Sequence, residues 1–253
     1  SITMRALTLV VAFLLVPRVI SAQDAFEQRR EADLASMTGV DPILLTLAAG
    51  KTTYRMGERI PISVEFQPFG MVGLLDTSCG PGIGLDVVLD RSAGTFAPGR
   101  ERDLSGWETA PPLKPTPVRE TVDLNHAVRF DAPGRYRFYV RTRLTVPQSN
   151  GTPPRLSNIV TVDIVDRDPT WEASLIARAA VQLDASESSV ARSEALADLS
   201  FLGTDAAVDL LAPRPDTSVL AVAWSARNRS HAIERMRERL ANPSLPVDRV
   251  YVA

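Results

Sequence analysis

Four arginines flank one tyrosine at every second position of a single stretch: Arg135, Arg137, Tyr139, Arg141 and Arg143. In an extended chain that spacing projects all of them from one face of a sheet. A guanidinium presents a planar fork of donors that matches carboxylate and phosphate, and an aromatic ring between such groups adds stacking area. The row is therefore suited to an acidic polysaccharide, a phosphate-rich polymer or an acidic protein. The same residues have a second use, as one side of a charge ladder. Asp86 and Asp90 on one neighbouring strand and Asp163 on the other would stand opposite the arginines, and like charges along one strand repel unless they are compensated. The sequence leaves both uses open. A second candidate surface is apolar: Phe69, Met71, Leu74, Leu75 and Trp107 lie in two long loops. Gathered at one end of the fold they would make a patch for a partner; folded back they would form a lid over the core.

Hydrolytic catalysis needs a nucleophile, a base and an orienting acid. The Gly-x-Ser-x-Gly elbow is absent and the chain has 2 histidines. His126 runs in phase with Val122, Leu124, Val128 and Phe130 and is expected to point inward, while His231 falls in an arginine-rich helix and is expected to be solvated. Asp163, Asp166 and Asp168 are close in sequence, but no loop glycine shapes a calcium site around them. Neither a phosphate-binding glycine loop nor a dinucleotide fingerprint occurs. The reading is a non-enzymatic protein with no catalytic residue, no metal site and no cofactor.

A chain of 253 residues, 45% hydrophobic and 23% charged, has room for one large or two small domains. Its net charge of -2 provides no global basic field for nucleic acid. Residues 1–22 have the parts of a secretory signal: Met4-Arg5, an apolar run from Ala6 to Val16, and Ile20-Ser21-Ala22 ahead of Gln23. The apolar run is short and is interrupted by Pro17 and Arg18, so the expectation is a secreted or periplasmic product with no membrane insertion after cleavage. Cys79 is the single cysteine, so no internal disulfide can form.

The elements that would position these groups change period once. Residues 23–40 read as a polar lead-in, mobile or at most a short solvated helix. From residue 41 to 166 short alternating runs dominate. Ile60, Ile62, Val64 and Phe66 share one face; Leu85, Val87 and Leu89 share another; Tyr136, Phe138 and Val140 precede Val160, Val162 and Ile164. Pro61 belongs at a strand start or edge. This pattern predicts an antiparallel two-sheet sandwich interrupted by long loops at 67–82 and 91–118. Pro133-Gly134-Arg135-Tyr136 is similar to the tyrosine corner of immunoglobulin-like domains, whose hydroxyl bonds back to an upstream backbone group.

After Asp168-Pro169, which can cap and open a helix, the period becomes helical to residue 253. Trp171, Leu175, Ala179 and Leu183 form one row, and Trp171 is the expected contact with the β part. A helix bearing Ala195, Leu199 and Leu202 should end at Gly203, with Thr204 capping a helix that carries Ala207, Val208 and Leu211. Two further helices are expected, one from Asp216 or Thr217 with Val219 and Val222, and one from Ser230 with Ile233, Met236 and Leu240. The fold class is thus α+β, a β-sandwich followed by a small helical-hairpin domain.

Three stretches then combine. Tyr54-x-x-Gly57-Glu58-x-Ile60-x-Ile62, Gly134-x-Tyr136 and Ser157-Asn158-x-Val160-x-Val162-x-Ile164, followed by the Asp-Pro helix start, resemble secreted bacterial proteins in which an immunoglobulin-like or macroglobulin-like sandwich precedes HEAT-like helices. The resemblance spans roughly residues 43 to 242. It implies an extracytoplasmic location and an interaction role with no substrate attached; with the arginine row, the reading is a binding or scaffold module of the cell envelope whose partner is a protein or an acidic glycan. The alternative is an accessory fragment of a secreted hydrolase whose catalytic part lies outside this chain.

Overall fold

The computed structural model describes residues 22–37, 43–68, 74–75, 85–90, 117–142, 145–146, 155–185, 188–214, 222 and 225–242. A helix, α1 (Ala22–Ala35), comes first. The strands are β1 (Ile43–Ala49), β2 (Thr53–Arg55), β3 (Pro61–Pro68), β4 (Leu74–Leu75), β5 (Leu85–Leu89), β6 (Val118–Asp123), β7 (Gly134–Thr142), β8 (Thr145–Val146), β9 (Arg155–Leu156) and β10 (Val160–Val165). Helices α2 (Pro169–Ala185), α3 (Ser189–Leu202), α4 (Asp205–Leu211) and α5 (Arg229–Ala241) complete a mixed α+β chain. Of the stretch 1–22 read as an expected signal, residues 1–21 lie outside the described residues and Ala22 begins α1; Cys79 and most of the two long loops also lie outside the described residues.

One sheet has the order β1-β3-β6 and another β2-β10-β7-β5, with β9 also on β7. Side chains of period two from both sheets fill one shared core: Leu45, Leu47, Ile62, Val64 and Phe66 meet Tyr136, Phe138, Val140, Val160, Val162 and Ile164. Among the described residues the pairing is antiparallel except for an isolated parallel bridge that links Leu45 to Ser157 and for β2, which joins β10 in parallel, Tyr54 opposite Ile164. This parallel pair departs from the purely antiparallel expectation. It forms because the chain leaves β1 through Gly50, crosses to the second sheet for three residues, and turns back at Gly57 (φ 85°) into β3.

Two asparagines act as substitute backbone. Asn158 accepts from Leu47 N (2.7 Å) and donates to Leu47 O (3.1 Å), which ties β1 to the segment leading into β10. Asn125 accepts from Ile60 N (2.7 Å) and donates to Glu58 O (3.0 Å). Asn125 sits in a single 3-10 turn, Leu124–His126, that follows β6. The alternation at 122–130 is therefore not one strand, and the turn rotates His126 out of phase. It is exposed, its ring edge-on to Phe201 at 5.0 Å, instead of pointing inward. As expected, the Tyr136 hydroxyl donates back to Ala132 O (2.7 Å).

The helix ends follow their capping chemistry. Asp168 Oδ1 accepts from Thr170 N and Trp171 N at 3.0 and 3.1 Å, with Pro169 in the first helical position. Gly203 ends α3 at φ 60°, and Thr204 Oγ1 accepts from Ala207 N to start α4. Asn228 caps α5, two residues ahead of the expected Ser230, and the buried face is Ala232, Met236 and Arg239. Ile233 and Leu240, expected inside, are exposed. Of the helix expected from residue 216, only Val222 and Ser225 are described, and Val222 is buried.

The strands and helices meet along α3. Gly57 abuts Leu202, where an added Cβ would lie 3.2 Å from Leu202 Cα. Arg59 reaches Asp123 (3.1 Å) on one side and Asp198 (3.6 Å) and Glu194 (3.7 Å) on the other. Desolvation holds the Asp198 carboxyl above its ordinary range despite Arg59 and Arg178. Trp171 does reach the β part, but as a half-buried ring beneath the Arg55 guanidinium, 5.7 Å from its centroid. Its role is a cation–π contact rather than full burial.

Candidate functional site

β7 is the strand that carries the arginine row. It is flanked by β10 on one side and β5 on the other, with Arg135 opposite Asp163, Arg141 opposite Asp86 and Tyr139 opposite Val88. One face of β7 presents Tyr136, Phe138 and Val140 to the shared core. Its other face presents Arg135, Arg137, Tyr139 and Arg141. The carboxylates named from the sequence engage these groups. Arg135 binds Asp163 through two bonds, 2.9 and 3.3 Å. Arg137 Nε donates to Asp90 (3.1 Å), and Arg141 Nη2 donates to Asp86. The hydrogen bonds from Arg135 hold Asp163 below the usual carboxylate range. That pair contributes at neutral pH and is lost as pH falls through the lowered value. Arg143 lies outside the described residues.

The face is not open. α1 lies across it, and the polar lead-in expected to be mobile or solvated is a packed helix. The stripe Phe26, Arg30, Asp33 and Met37 repeats at helical spacing and is turned toward the sheet, while Gln28, Arg29, Glu31 and Leu34 face solvent. Phe26 is buried against Val88, Tyr139 and Leu156, with Met37 and Ile159 at the margin of the cluster. Its ring meets Tyr139 at 5.4 Å and carries the Arg137 guanidinium at 4.9 Å. Glu27 binds Arg137 Nη1 (2.8 Å), and Asp33 accepts from the Tyr139 hydroxyl (2.7 Å) and from Arg141 Nη1 (3.2 Å). Arg30 stacks on Tyr139 at 5.6 Å and donates to Ser157 O (3.1 Å).

Tyr139, placed in the outward row, has no exposed surface. Burial pushes its hydroxyl well above the ordinary tyrosine range, and the bond to the Asp33 carboxylate pushes it further. It acts as a buried hydrogen-bond donor and offers no free ring for a ligand to stack on. Arg137 and Arg141 each hold two carboxylates, one from the neighbouring strand and one from α1. The geometry packs a helix on a sheet through an aromatic contact, Phe26 on Tyr139, and two ion pairs, Glu27 with Arg137 and Asp33 with Arg141.

Sequence reasoning missed α1's part in this. Phe26, Glu27, Arg30 and Asp33 give a helical stripe that is half charged, which a search for apolar periodicity passes over. Val88 carried a clue, an apolar residue on the face assigned to Asp86 and Asp90. Of the apolar loop candidates, Phe69, Met71 and Trp107 lie outside the described residues. Leu74 and Leu75 form β4, paired with Val146 and Thr145 of β8.

No group of three or more His, Cys, Asp and Glu side chains among the described residues could hold a metal ion. Asp163 is bonded to Arg135, and Asp168 caps α2. His231 Nε2 lies 2.9 Å from Asp209 at the helix surface, beside Arg235. No described helix is long and apolar enough to cross a membrane. No protein-family model matches the chain, and no curated protein matches it.

Proposed function

We propose that the chain is an extracytoplasmic, non-enzymatic binding or scaffold module of the cell envelope, and that its partner is a protein rather than an acidic glycan. One observation carries the choice of partner. Each described arginine of the row is already bonded to carboxylate: Arg135 to Asp163, Arg137 to Asp90 and Glu27, Arg141 to Asp86 and Asp33. A polyanion arriving at this face would have to displace carboxylates that are tethered to it, and gains little by the exchange.

The immunoglobulin-like reading of the β part is supported by two sheets burying one core between them and by the Tyr136 bond back to Ala132. The HEAT-like reading of the helices is supported by the Gly203-Thr204 hinge between α3 and α4. Export is supported by the Met4-Arg5 start, the Ala6 to Val16 run and the small residues before Gln23.

Calorimetric titration of the exported chain with acidic polysaccharides and peptidoglycan fragments, at low and physiological salt, is expected to give no salt-dependent binding. Binding that weakens with salt and disappears in a folded Arg137→Glu, Arg141→Glu variant would overturn the choice and return the row to glycan recognition.

A further inference from the structure

We propose that the sheet face formed by Val88, Arg137, Tyr139, Arg141 and Leu156 is a docking seat for an acidic, aromatic-bearing helix of a protein partner, and that α1 is its built-in competitor. The inference rests on the binding-module reading above and names the surface and the partner class.

The seat's chemistry is read from what occupies it. α1 supplies one aromatic, Phe26, a carboxylate beside it, Glu27, and a second carboxylate two turns on, Asp33. All three fall on one side of a helix, so the seat selects a pattern that any helix with this spacing can present. The arginines are built for exchange of that occupant. Arg137 keeps Asp90 and Arg141 keeps Asp86 when the helix leaves, so neither guanidinium is stripped of all its carboxylates. Opening therefore avoids the penalty of burying or baring an unpaired charge.

The occupant is also a poor fit. Among the described side chains of α1, Phe26 is the one fully buried apolar group, and the rest of its inner stripe is half-exposed or charged. Arg137 Nη2, Arg141 Nε, Asp90 Oδ1 and Arg30 Nε are buried without a hydrogen-bond partner. Three of these four atoms, from Arg137, Arg141 and Asp90, lie on the sheet side of the contact, and the hydrogen bonds α1 makes there do not reach them. A helix that satisfies them binds the seat more tightly than α1 does, because each such atom otherwise carries its desolvation cost unrelieved. The face does not favour a free polyanion, since the sheet side's own Asp86 and Asp90 already match Arg137 and Arg141 one for one in formal charge.

The test opens the seat without altering it. A full exported chain carrying Phe26→Ala and Asp33→Asn is titrated with a fluorescent synthetic peptide of residues 22–37, and the unaltered chain is titrated in parallel. The expected result is at least tenfold tighter binding to the opened chain. A peptide bearing the same two substitutions should not bind, and Arg141→Glu in the opened chain should abolish binding. Circular dichroism checks that the opened chain is folded; if it is not, Glu27→Lys provides a second way to release α1. A peptide that binds neither chain, or an altered peptide that binds as well as the natural one, would overturn the seat. Failure of this kind, with the chain still indifferent to polysaccharide, removes the seat and leaves the binding-module reading in place. Salt-dependent polysaccharide binding removes the protein-partner reading by itself.

Discussion

Replacing Gly203 by alanine is expected to lower the melting temperature by about 10 °C, with a loss of roughly 3 kcal/mol. Two separate costs meet at this residue. Gly203 ends α3 at φ 60°, a left-handed conformation in which a side chain costs about 1 kcal/mol or more. A Cβ there would also be driven into the Ser225 carbonyl, well inside contact with its oxygen and 3.1 Å from its carbon. The obstructing atoms are backbone and cannot rotate away. They would have to move with Ala226 and Arg227, whose amide donates to Gly203 O at 2.8 Å and whose guanidinium donates to Leu202 O at 3.2 Å. Backbone displacement of this kind adds about 1–3 kcal/mol. Gly203→Asn separates the two costs, because asparagine tolerates the left-handed region but still brings a Cβ. Scanning calorimetry should show both variants strongly destabilised. An asparagine variant as stable as the parent would mean that the close approach to Ser225 is absent.

Tyr139→Ala is expected to cost about 3 kcal/mol, as truncation of a fully buried aromatic does. A tyrosine on an open outward face would cost well under 1 kcal/mol. The difference arises from α1: Tyr139 has no exposed surface, touches Phe26 on one side, lies under Arg30, and donates to Asp33. Tyr139→Phe keeps the ring and removes one hydrogen bond to a charged acceptor, so a loss of about 1–2 kcal/mol is expected. Chemical denaturation of both variants gives the comparison. A Tyr139→Ala variant within 0.5 kcal/mol of the parent, on the order of an ordinary surface change, would contradict the buried face.

The parts of the fold that could be read from the sequence are those with a local cause. Period two placed Ile62, Val64, Tyr136, Phe138, Val162 and Ile164 in one core, because a pleated strand has no other way to sort them. Asp168-Pro169 and Gly203-Thr204 mark helix boundaries, because caps act within one turn. The ladder of Asp86, Asp90 and Asp163 with the arginines followed from placing β7 between β5 and β10.

What escaped has long-range causes. His126 leaves the inward row because Asn125 bonds Ile60 and Glu58, residues more than sixty positions away, and bends the chain into a turn. β2 is three residues long and acquires its strand pairing from β10, far along the chain. α1 has almost no apolar stripe of its own. Its docking depends on which carboxylates find Arg137 and Arg141, and the two partners are more than a hundred residues apart. Each segment carries its own period, but neither period records that the other segment is its ionic and aromatic partner.

The claim on which the rest depends is that α1 lies on the arginine face of β7. Hydrogen exchange followed by mass spectrometry tests it most directly, on the parent chain and on Phe26→Ala. The account predicts that the amides of 26–35 are protected in the parent and become unprotected in the variant, while those of β7 and β10 keep their protection. A parent in which 26–35 exchange as fast as a free peptide, with no change on removing Phe26, would contradict it. The arginines would then form a ladder facing solvent.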